Sequence, residues 1–433
     1  MKSPRKPAAV PQTRWGRLAR IGIAAAELAA GTAIEGLRGL ARPTPPGSPA
    51  LFSAGNARRL AKRLATMRGA AMKLGQMISL QGDDVLPPEF AQALAVLRSG
   101  AAPMPPAQLH RVLGREYGKG WASRFEDFDE EPVAAASIGQ VHRVRARDGR
   151  DIALKIQYPG VARSIDSDVD NVASLLRLFS LLPVELDVSA IAAEAKRQLA
   201  QEADYLQEAR FIETYSRWVA DEPAFVVPRV HADLTTTRIL AMDFIEGVPL
   251  ESLSSDNTSQ AERDAIGSHM ERLMFRELFE FRLMQTDPNF ANYLYLPASR
   301  RIALLDFGAT QAFSEAFVAN YVRVTRAIVD DDREALSRAV ADIGYIDAAD
   351  SPEAVRAVLD VILLVCEPLR HRGRYDFAAS GLAARARTLT LDLVMRQGLL
   401  RRAPPAETMF LHRKLVGSFL LLARLGARVD ARA

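Results

Sequence analysis

The stretch that decides the fold is LMQTDPNFANYLY at residues 283–295, followed by LLDFGAT at residues 304–310. In the first segment Asp287 stands five positions before Asn292, between apolar runs. Alone, an Asp-Pro-Asn sequence is more often a turn than a site, and a three-residue match to Asp-Phe-Gly is common by chance. Together with Asp306 of the second segment, however, these side chains form the ordered set of acid, amide and acid that phosphoryl transfer requires.

The three side chains have different expected roles. Asp287 accepts or orients the proton of the nucleophile. Asn292 and Asp306 hold Mg²⁺, an ion that takes a few hard oxygen ligands and keeps phosphates and waters as the others. A lysine that contacts the phosphates completes the set, and Lys155 in the strand pattern IALKIQ is the candidate. A lone strand lysine is usually a solvated edge residue, so this interpretation depends on the ordered set.

A charged helix is predicted downstream of that strand, at QEADYLQEA in residues 201–209. Its acids are Glu202, Asp204 and Glu208. One interpretation is a solvated helix face, which this stretch alone favours. The other is a Lys–Glu pair that orients the ammonium of Lys155 toward phosphate oxygens.

The composition limits the class of protein. With 433 residues, 48% hydrophobic and 25% charged, the chain can form two or three domains or one two-lobed fold. A net charge of only +4 argues against a nucleic-acid partner. The single cysteine, Cys366, excludes an internal disulfide, fits a reducing compartment and is expected in the core. No run reaches the roughly 18 to 20 uncharged apolar residues of a spanning helix.

The pattern along the chain predicts four regions. Residues 1–50 are a basic, Ala-rich leader with a Pro-rich linker, and residues 51–120 show helical apolar spacing. Residues 121–250 form a small lobe, in which VHRVRA and RDIALKIQ flank an Asp-Gly sequence typical of a hairpin. Residues 251–433 are mostly helical. The expected fold class is α+β, with a small sheet lobe, a larger helical lobe and helices in front.

The leader leaves three alternatives open. It is a disordered tail whose helix docks on the body, or a membrane-surface helix with a basic flank. An organelle transit peptide is a minor option, because the first residues are rich in arginine and poor in acids.

Three features differ from an ordinary protein kinase. Ala134, Ala135 and Ala136 stand where a Gly-rich phosphate loop is expected, and an alanine forced to positive φ costs on the order of 1 kcal/mol. Gln285 and Thr286 replace the His-Arg pair before the catalytic acid, so control by a phosphorylated loop lacks its usual arginine. After Asp-Phe-Gly the chain runs almost directly into a helix. The usual platform for a peptide substrate is therefore expected to be absent.

These motifs together resemble the UbiB/ADCK (AarF) family of atypical kinases. The resemblance is carried by KLGQ at residues 73–76, AAASIGQVH, IALKIQYPG, EADYLQEA, QTDPNFANYLY, LLDFGAT and LHRKLVGSFLLLARL, and runs from about residue 55 to the end. Where many members have H-x-D-P-H-P-G-N, this chain has Gln285, Asn289, Phe290 and Ala291. That variant is similar to the branch of mitochondrial ubiquinone biosynthesis and its bacterial relatives. The resemblance implies a protein-kinase-like two-lobed fold with an N-terminal helical extension.

The resemblance also implies roles for individual residues. Lys155 contacts the phosphates of ATP and pairs with Glu208. Asp287 is the carboxylate of the catalytic loop, and Asn292 and Asp306 bind Mg²⁺.

Two further elements follow from the same resemblance. Ala134–Ser137 forms an Ala-rich loop at the nucleotide. The helical extension lays its K-x-G-Q motif over the active site, so Lys73 and Gln76 face inward near Glu202 and Asp204 as an occluding element. Their i, i+3 spacing places both on one helix face.

The implied function is an Mg-ATP-dependent atypical kinase or ATPase that supports ubiquinone (isoprenoid quinone) biosynthesis at a membrane. The alternative is a nucleotide-binding pseudokinase scaffold for a quinone-biosynthesis complex, which the Ala-rich loop and the occluding motif favour. A conventional protein kinase ranks third. The expected partners are ATP, a membrane lipid or quinone precursor, and quinone-biosynthesis proteins, with no nucleic acid. The expected location is the cytoplasm, peripheral to the membrane, or the mitochondrion in a eukaryote.

Overall fold

The chain divides into two units. A computed structural model describes residues 67–79, 103–178, 188–253, 257–391, 393 and 406–432. The first unit holds the described residues up to Arg210 together with Arg229–Phe244, and the second holds Phe211–Pro228 and the described residues from Ile245 onward. The predicted leader and much of the predicted 51–120 extension lie outside the described residues, and the four predicted region boundaries stay predictions.

The strands of the described residues form four sheets. In chain order they are β1 (Phe125–Phe128), β2 (Ala134–Ala135), β3 (Gly139–Ala146), β4 (Asp151–Gln157), β5 (Phe225–Val226), β6 (Ile239–Asp243), β7 (Val248–Pro249), β8 (Leu283–Gln285), β9 (Tyr293–Leu296), β10 (Arg301–Leu304), β11 (Thr310–Ala312), β12 (Tyr375–Asp376) and β13 (Arg428–Val429).

The first unit contains an antiparallel sheet of order β1-β3-β4-β6, with β2 added to β3. The β3–β4 hairpin turns at Asp148-Gly149, where Gly149 has a φ of 85°. That backbone conformation favours glycine, so the predicted Asp-Gly hairpin is confirmed for a clear steric reason.

The sheets of the second unit are small. One has the order β5-β10-β9-β7, in which β5 and β10 are parallel and the other pairs are antiparallel. The others pair β8 with β11 and β12 with β13. Only β11 lies between the Asp-Phe-Gly motif and the next helix, which confirms the expected absence of a long activation segment.

The helices supply most of the second unit and frame the sheet of the first. In chain order they are α1 (Arg68–Ser79), α2 (Pro106–Tyr117), α3 (Val161–Leu178), α4 (Val188–Glu202), α5 (Tyr205–Trp218), α6 (Gln260–Phe279), α7 (Glu315–Val329), α8 (Arg333–Ile343), α9 (Pro352–Val365), α10 (Glu367–Arg370), α11 (Leu382–Leu391) and α12 (Ala406–Leu425). None of these described helices is both long enough and apolar enough to cross a lipid bilayer.

Several helices begin at residues with a local capping group. Ser259, Ser314, Asp332 and Ser351 each accept a hydrogen bond from the backbone N–H of the third residue of the helix that follows. Such caps satisfy a donor that the helix leaves unpaired. The sequence therefore fixes where α6, α7, α8 and α9 start.

The core of the first unit lies on one face of β4. Leu154 and Ile156 are buried in one cluster with Leu109 and Leu113 of α2. Because strand side chains alternate, Lys155 lies on the opposite face. Since β4 pairs with β3 on one side and β6 on the other, this lysine projects from a central strand.

The core of the second unit holds β8 in place. Met284 of β8 packs in one cluster with Leu278 of α6, Phe317 of α7 and Leu411 of α12. A separate cluster joins α7, α8 and α9, and Cys366 packs against it while only partly buried. The strand that leads into the predicted catalytic loop is thus covered by α6, α7 and α12.

Candidate functional site

In the first unit Lys155 forms a buried ion pair with Glu208. Its Nζ donates to the two carboxylate oxygens at 2.8 and 3.0 Å, and the side chains of Lys155 and Glu208 are 9% and 0% exposed. A charge is removed from water at a high cost unless it is paired and hydrogen-bonded. The interpretation of Glu208 as part of a solvated face, which its own stretch favoured, is wrong because the helix turns this acid toward β4.

The helix that carries Glu208 begins just before it. Asp204 accepts a hydrogen bond from the N–H of Gln207 at 2.9 Å and is itself exposed. This contact stabilises the first turn of α5 and so fixes the place of Glu208. The structure gives Asp204 this capping contact, and its predicted place near the K-x-G-Q motif stays a prediction.

Lys73 of the K-x-G-Q motif contacts the end of α4. Its ammonium donates to one oxygen of Glu202, and the hydroxyl of Ser137 donates to the other oxygen at 2.5 Å. Lys73 is buried, so this contact needs the opposite charge of Glu202. One carboxylate therefore links α1 to the Ala-rich loop. The side chain of Gln76 lies outside the described residues.

Close packing of α1 on the Ala-rich loop depends on Gly69. A Cβ at this position would lie 3.0 Å from Cγ2 of Ile138 and 3.1 Å from the backbone oxygen of Ser137. Both distances are tighter than ordinary contacts, so a larger residue would push the helix away. Gly69 was not among the predicted site residues, although it lies four positions before Lys73.

The Ala-rich loop is a tight turn between β2 and β3. Ala134 and Ala135 form β2, and the N–H of Ala136 donates to the backbone oxygen of Gly139 at 3.0 Å. The described non-glycine residues with positive φ are Arg282, Arg300 and Asp331. The alanines thus avoid the strain considered above, while their methyl groups stay where glycines would leave space.

In the second unit Asp287 opens a compact loop after β8. Its backbone oxygen accepts the side-chain amides of Gln285 and Asn292, each at 2.9 Å. Asn289 accepts the N–H of Ala291 at 3.1 Å, which closes the turn. The D-x4-N segment is therefore held by its own side chains.

A hairpin brings Asn292 and Asp306 to the same end of one sheet. Tyr293 pairs with Leu304, and the N–H of Leu305 donates to the backbone oxygen of Asn292 at 3.0 Å. Asp306 lies one residue beyond this pair and accepts the N–H of Gly308 at 2.9 Å.

These two side chains fit a small hard cation. The amide nitrogen of Asn292 donates a hydrogen bond to the backbone oxygen of Asp287, so its amide oxygen is the atom that can face a metal. A carboxylate and an amide oxygen are ligands of the kind that Mg²⁺ takes when phosphates and waters supply the rest.

Thr286, the residue before the predicted catalytic acid, is bonded to two other elements. Its N–H and hydroxyl both donate to the backbone oxygen of Ala309, at 3.0 and 2.7 Å. Arg413 of α12 donates through Nε to the backbone oxygen of Thr286 and through Nη2 to its hydroxyl, both at 2.7 Å. Arg413 was not among the predicted site residues.

A second buried lysine–glutamate pair was also missed. Lys414 Nζ lies 3.1 Å from Oε2 of Glu277, and their side chains are 4% and 1% exposed. The other oxygen of Glu277 accepts the hydroxyl of Tyr215 at 2.8 Å and the N–H of Gln285 at 3.2 Å. Burial lowers the pKa of Lys414, but the charge of Glu277 and hydrogen bonds to it and to Tyr293 outweigh burial and leave the pKa raised.

The chain is similar in sequence to known atypical kinases. The ABC1 atypical kinase-like domain matches residues 96–340, more than half of the chain. The rat mitochondrial atypical kinase COQ8B is 40% identical over 431 residues, which cover 98% of this chain and 80% of the rat protein. The mitochondrial atypical kinase COQ8 of Saccharomyces cerevisiae is 37% identical over 427 residues, which cover 98% of this chain and 84% of the yeast protein.

A solved structure extends the likeness to the fold. The structure of Rv3197 from Mycobacterium tuberculosis, determined as a complex with erythromycin, aligns with a TM-score of 0.61 and 27% identity. The alignment covers 87% of this chain and 94% of that one. The predicted α+β, protein-kinase-like fold is confirmed.

The fold and the matches define the class of protein as a kinase-like enzyme. This chain belongs to the ABC1 atypical kinase family, in the group of COQ8 kinases of ubiquinone biosynthesis, as its motifs predicted. Membership in a kinase-like family implies ATP binding.

Proposed function

We propose that this chain binds Mg-ATP and transfers its terminal phosphoryl group to water or another acceptor in support of ubiquinone biosynthesis at a membrane. The observation that carries the proposal is the buried pair of Lys155 and Glu208. A buried ion pair is weak evidence for stability, because its desolvation offsets much of its attraction. A lysine held on a central strand by a glutamate is, in contrast, the arrangement that orients an ammonium toward phosphates.

Each remaining residue has one proposed task. Asp287 orients the nucleophile and takes its proton, and the amides of Gln285 and Asn292 fix the backbone from which it projects. Asn292 and Asp306 hold Mg²⁺, which neutralises charge on the phosphates when bound. The Ala134–Ser137 loop lies at the nucleotide, where its methyl groups alter the approach of the phosphates.

The test is ATP turnover by the purified full-length chain, with and without lipid vesicles. Asp306→Asn removes a charged metal ligand, so turnover is expected to fall by roughly a hundredfold or more, the scale of a lost charge-stabilising group. Asp342→Asn is the matched control, since Asp342 pairs with Arg323 on an exposed surface. Turnover that is unchanged in Asp306→Asn would refute the proposal.

A second candidate is a nucleotide-binding scaffold that transfers no phosphate. The contact of Lys73 and Ser137 with Glu202 favours it, because α1 is thereby tied to the Ala-rich loop. Quinone and precursor levels in a deletion strain complemented with Asp287→Asn separate the two. A scaffold predicts normal levels with this variant, and the enzyme predicts accumulation of a precursor.

The partners and location follow as parts of the same proposal. A membrane lipid or quinone precursor and other quinone-biosynthesis proteins are the proposed partners besides ATP. The chain is proposed to act peripherally at a membrane, and in the mitochondrion if its source is a eukaryote, since the similar kinases of rat and yeast are named as mitochondrial. Co-sedimentation with vesicles tests the membrane contact.

A further inference from the structure

Three residues of α12 contact the start of the catalytic loop or the helix α6 that precedes β8. Arg413 contacts Thr286, Lys414 pairs with Glu277, and Gly417 lies against Pro288. A Cβ on Gly417 would lie 2.0 Å from Cγ of Pro288, which is far inside contact distance. The helix therefore packs directly on the residues that flank Asp287.

Arg413 fixes one peptide plane. The backbone oxygen that it binds belongs to the planar unit joining Thr286 to Asp287, and its second bond holds the hydroxyl of the same threonine. Two parallel donors of one guanidinium restrict orientation as well as distance. The next carbonyl, that of Asp287, is bound by Gln285 and Asn292. The backbone of Asp287 is thus held on both sides.

Lys414 acts on the loop indirectly, through Glu277 and Gln285. Burial raises the pKa of the Glu277 carboxyl, and the charge of Lys414 opposes that rise, which favours the ionised form that accepts the N–H of Gln285. Tyr215 shares the task, because its hydroxyl accepts the same N–H at 2.8 Å and shares its single proton between Oε1 of Glu277 at 2.8 Å and the backbone oxygen of Leu283 at 3.0 Å. The backbone of Gln285, the last residue of β8, is therefore held by Tyr215 and by Glu277, and Glu277 is paired with Lys414 of α12.

We propose that α12 positions the catalytic loop, with Arg413 and Lys414 as positioning residues that set the backbone of Asp287. This proposal rests on the proposed function, since it takes Asp287 as the catalytic carboxylate. In an ordinary protein kinase the His-Arg pair and the activation segment help to position this loop, and this chain lacks both. Small displacements matter here, because a shift of about 1 Å in a reacting group can cost on the order of a hundredfold in rate.

The experiment is a double-mutant cycle on the full-length chain, in steady-state ATP turnover. Arg413→Gln and Thr286→Val each remove the guanidinium contact to the hydroxyl. Each is expected to lower kcat by roughly tenfold to a hundredfold, with the KM for ATP changed less than about twofold. The loss of kcat in Arg413→Gln combined with Thr286→Val is expected to be clearly smaller than the product of the two single losses, because both substitutions remove the contact between the guanidinium and the hydroxyl.

Two conservative variants and one control sharpen the result. Thr286→Ser keeps the hydroxyl and is expected to retain kcat, and Arg413→Lys is expected to retain it only in part because one point charge replaces a fork. Arg333→Gln is the matched control, since Arg333 pairs with Asp360 on the surface at 2.6 Å. A kcat that is unchanged in Arg413→Gln, or additive losses in the cycle, would overturn the proposal.

Amide hydrogen exchange provides a readout without turnover. Arg413→Gln is expected to speed exchange over residues 285–292 by roughly tenfold while α8 keeps its protection. A wild-type chain without ATP turnover would refute the proposed function. Hydrogen exchange would then be the only test of whether α12 positions the loop. Faster exchange limited to the loop supports positioning. Unchanged exchange overturns it, and so does faster exchange with an unchanged kcat in an active chain.

Discussion

Two buried lysine–glutamate pairs lie in different surroundings in this chain. Lys155 and Glu208 meet at 2.8 Å beside the sheet of the first unit, and Lys414 and Glu277 meet at 3.1 Å among helices of the second. Both glutamates are shielded from water. The first lysine stands on a strand within a family motif, and the second joins a helix to a network that ends on the backbone of β8. Under the proposed function the first is a ligand-directed pair, whereas the second is a pair that holds structure.

A third acid shows what happens without a lysine. Glu271 is buried on α6, and its Oε1 has no hydrogen-bond partner among the described residues. Burial, with a smaller contribution from the charge of Asp430, raises its pKa to about 7. Burial also raises the pKa of Glu277 on the same helix, but there the charge of Lys414 opposes the rise.

Breaking the structural pair is expected to have the largest effect. Lys414→Met leaves Glu277 buried without its counter-charge, and such a loss costs about 3–5 kcal/mol. The urea midpoint of the second unit should fall accordingly. Lys414→Met combined with Glu277→Gln should recover at least half of the loss, since it removes the charge and keeps an acceptor. A double variant as unstable as Lys414→Met would contradict this account.

The unpaired acid should make stability depend on pH. The folded pKa of Glu271, about 7, lies above its unfolded value, so the folded state binds the extra proton between the two values. Stability therefore falls as pH rises from roughly 4.5 to 7, by about 3 kcal/mol in all. Thermal unfolding across this range should show the slope, and Glu271→Gln should remove it. A slope that persists in this variant would assign the effect to another group.

The proposed role of the pair of Lys155 and Glu208 is best tested by measuring how much bound nucleotide stabilises the chain. We expect Mg-ATP to stabilise the wild-type chain by about 2.7 kcal/mol when its concentration is a hundred times its Kd. Lys155→Met should lose most of this gain because the ammonium no longer meets the phosphates. Lys414→Met should keep it, although it starts from a lower melting temperature. The rise in melting temperature on addition of Mg-ATP is measured for each variant. Equal rises in Lys155→Met and Lys414→Met would show that the two pairs do not differ in their effect on nucleotide binding.

The smallest effect is expected at the contact between α12 and Pro288. Gly417→Ala inserts a methyl group where the nearest carbon lies at 2.0 Å, and overpacking of this kind costs about 1–3 kcal/mol. The helix must shift from the loop, so kcat should also fall. Gly373→Ala is a useful control for an added methyl, because nothing lies within 4 Å of its Cβ, although its φ of 83° adds strain of its own.

The parts of the fold that could be predicted are those encoded by neighbouring residues. The β3–β4 hairpin follows from Asp148-Gly149 between alternating strands, and the β9–β10 hairpin lies between two recognisable motifs. The hairpin places Asn292 and Asp306, which are 14 positions apart, at the same end of one sheet, and their pairing as metal ligands stays a prediction. Local geometry and chemistry were enough in these cases.

The missed residues depend on contacts between distant parts of the chain. Arg413 and Thr286 are 127 positions apart, and nothing in the spacing of α12 distinguishes this arginine from a solvated one. Glu277 had the appearance of one charge among several on α6, since Arg272, Arg276 and Glu280 surround it in sequence. Which of these faces the core is decided by packing against α12, and a single sequence does not contain that information directly.

The separation of Thr286 from Arg413 also orders events during synthesis. A ribosome adds about 5–20 residues per second, so α12 emerges several seconds or more after the loop that it contacts. In that interval a nascent chain carries Asp287, Asn292 and Asp306 but lacks the guanidinium that orients the backbone before Asp287. Under the proposed role of Arg413, the loop reaches its active geometry only after translation has passed residue 413.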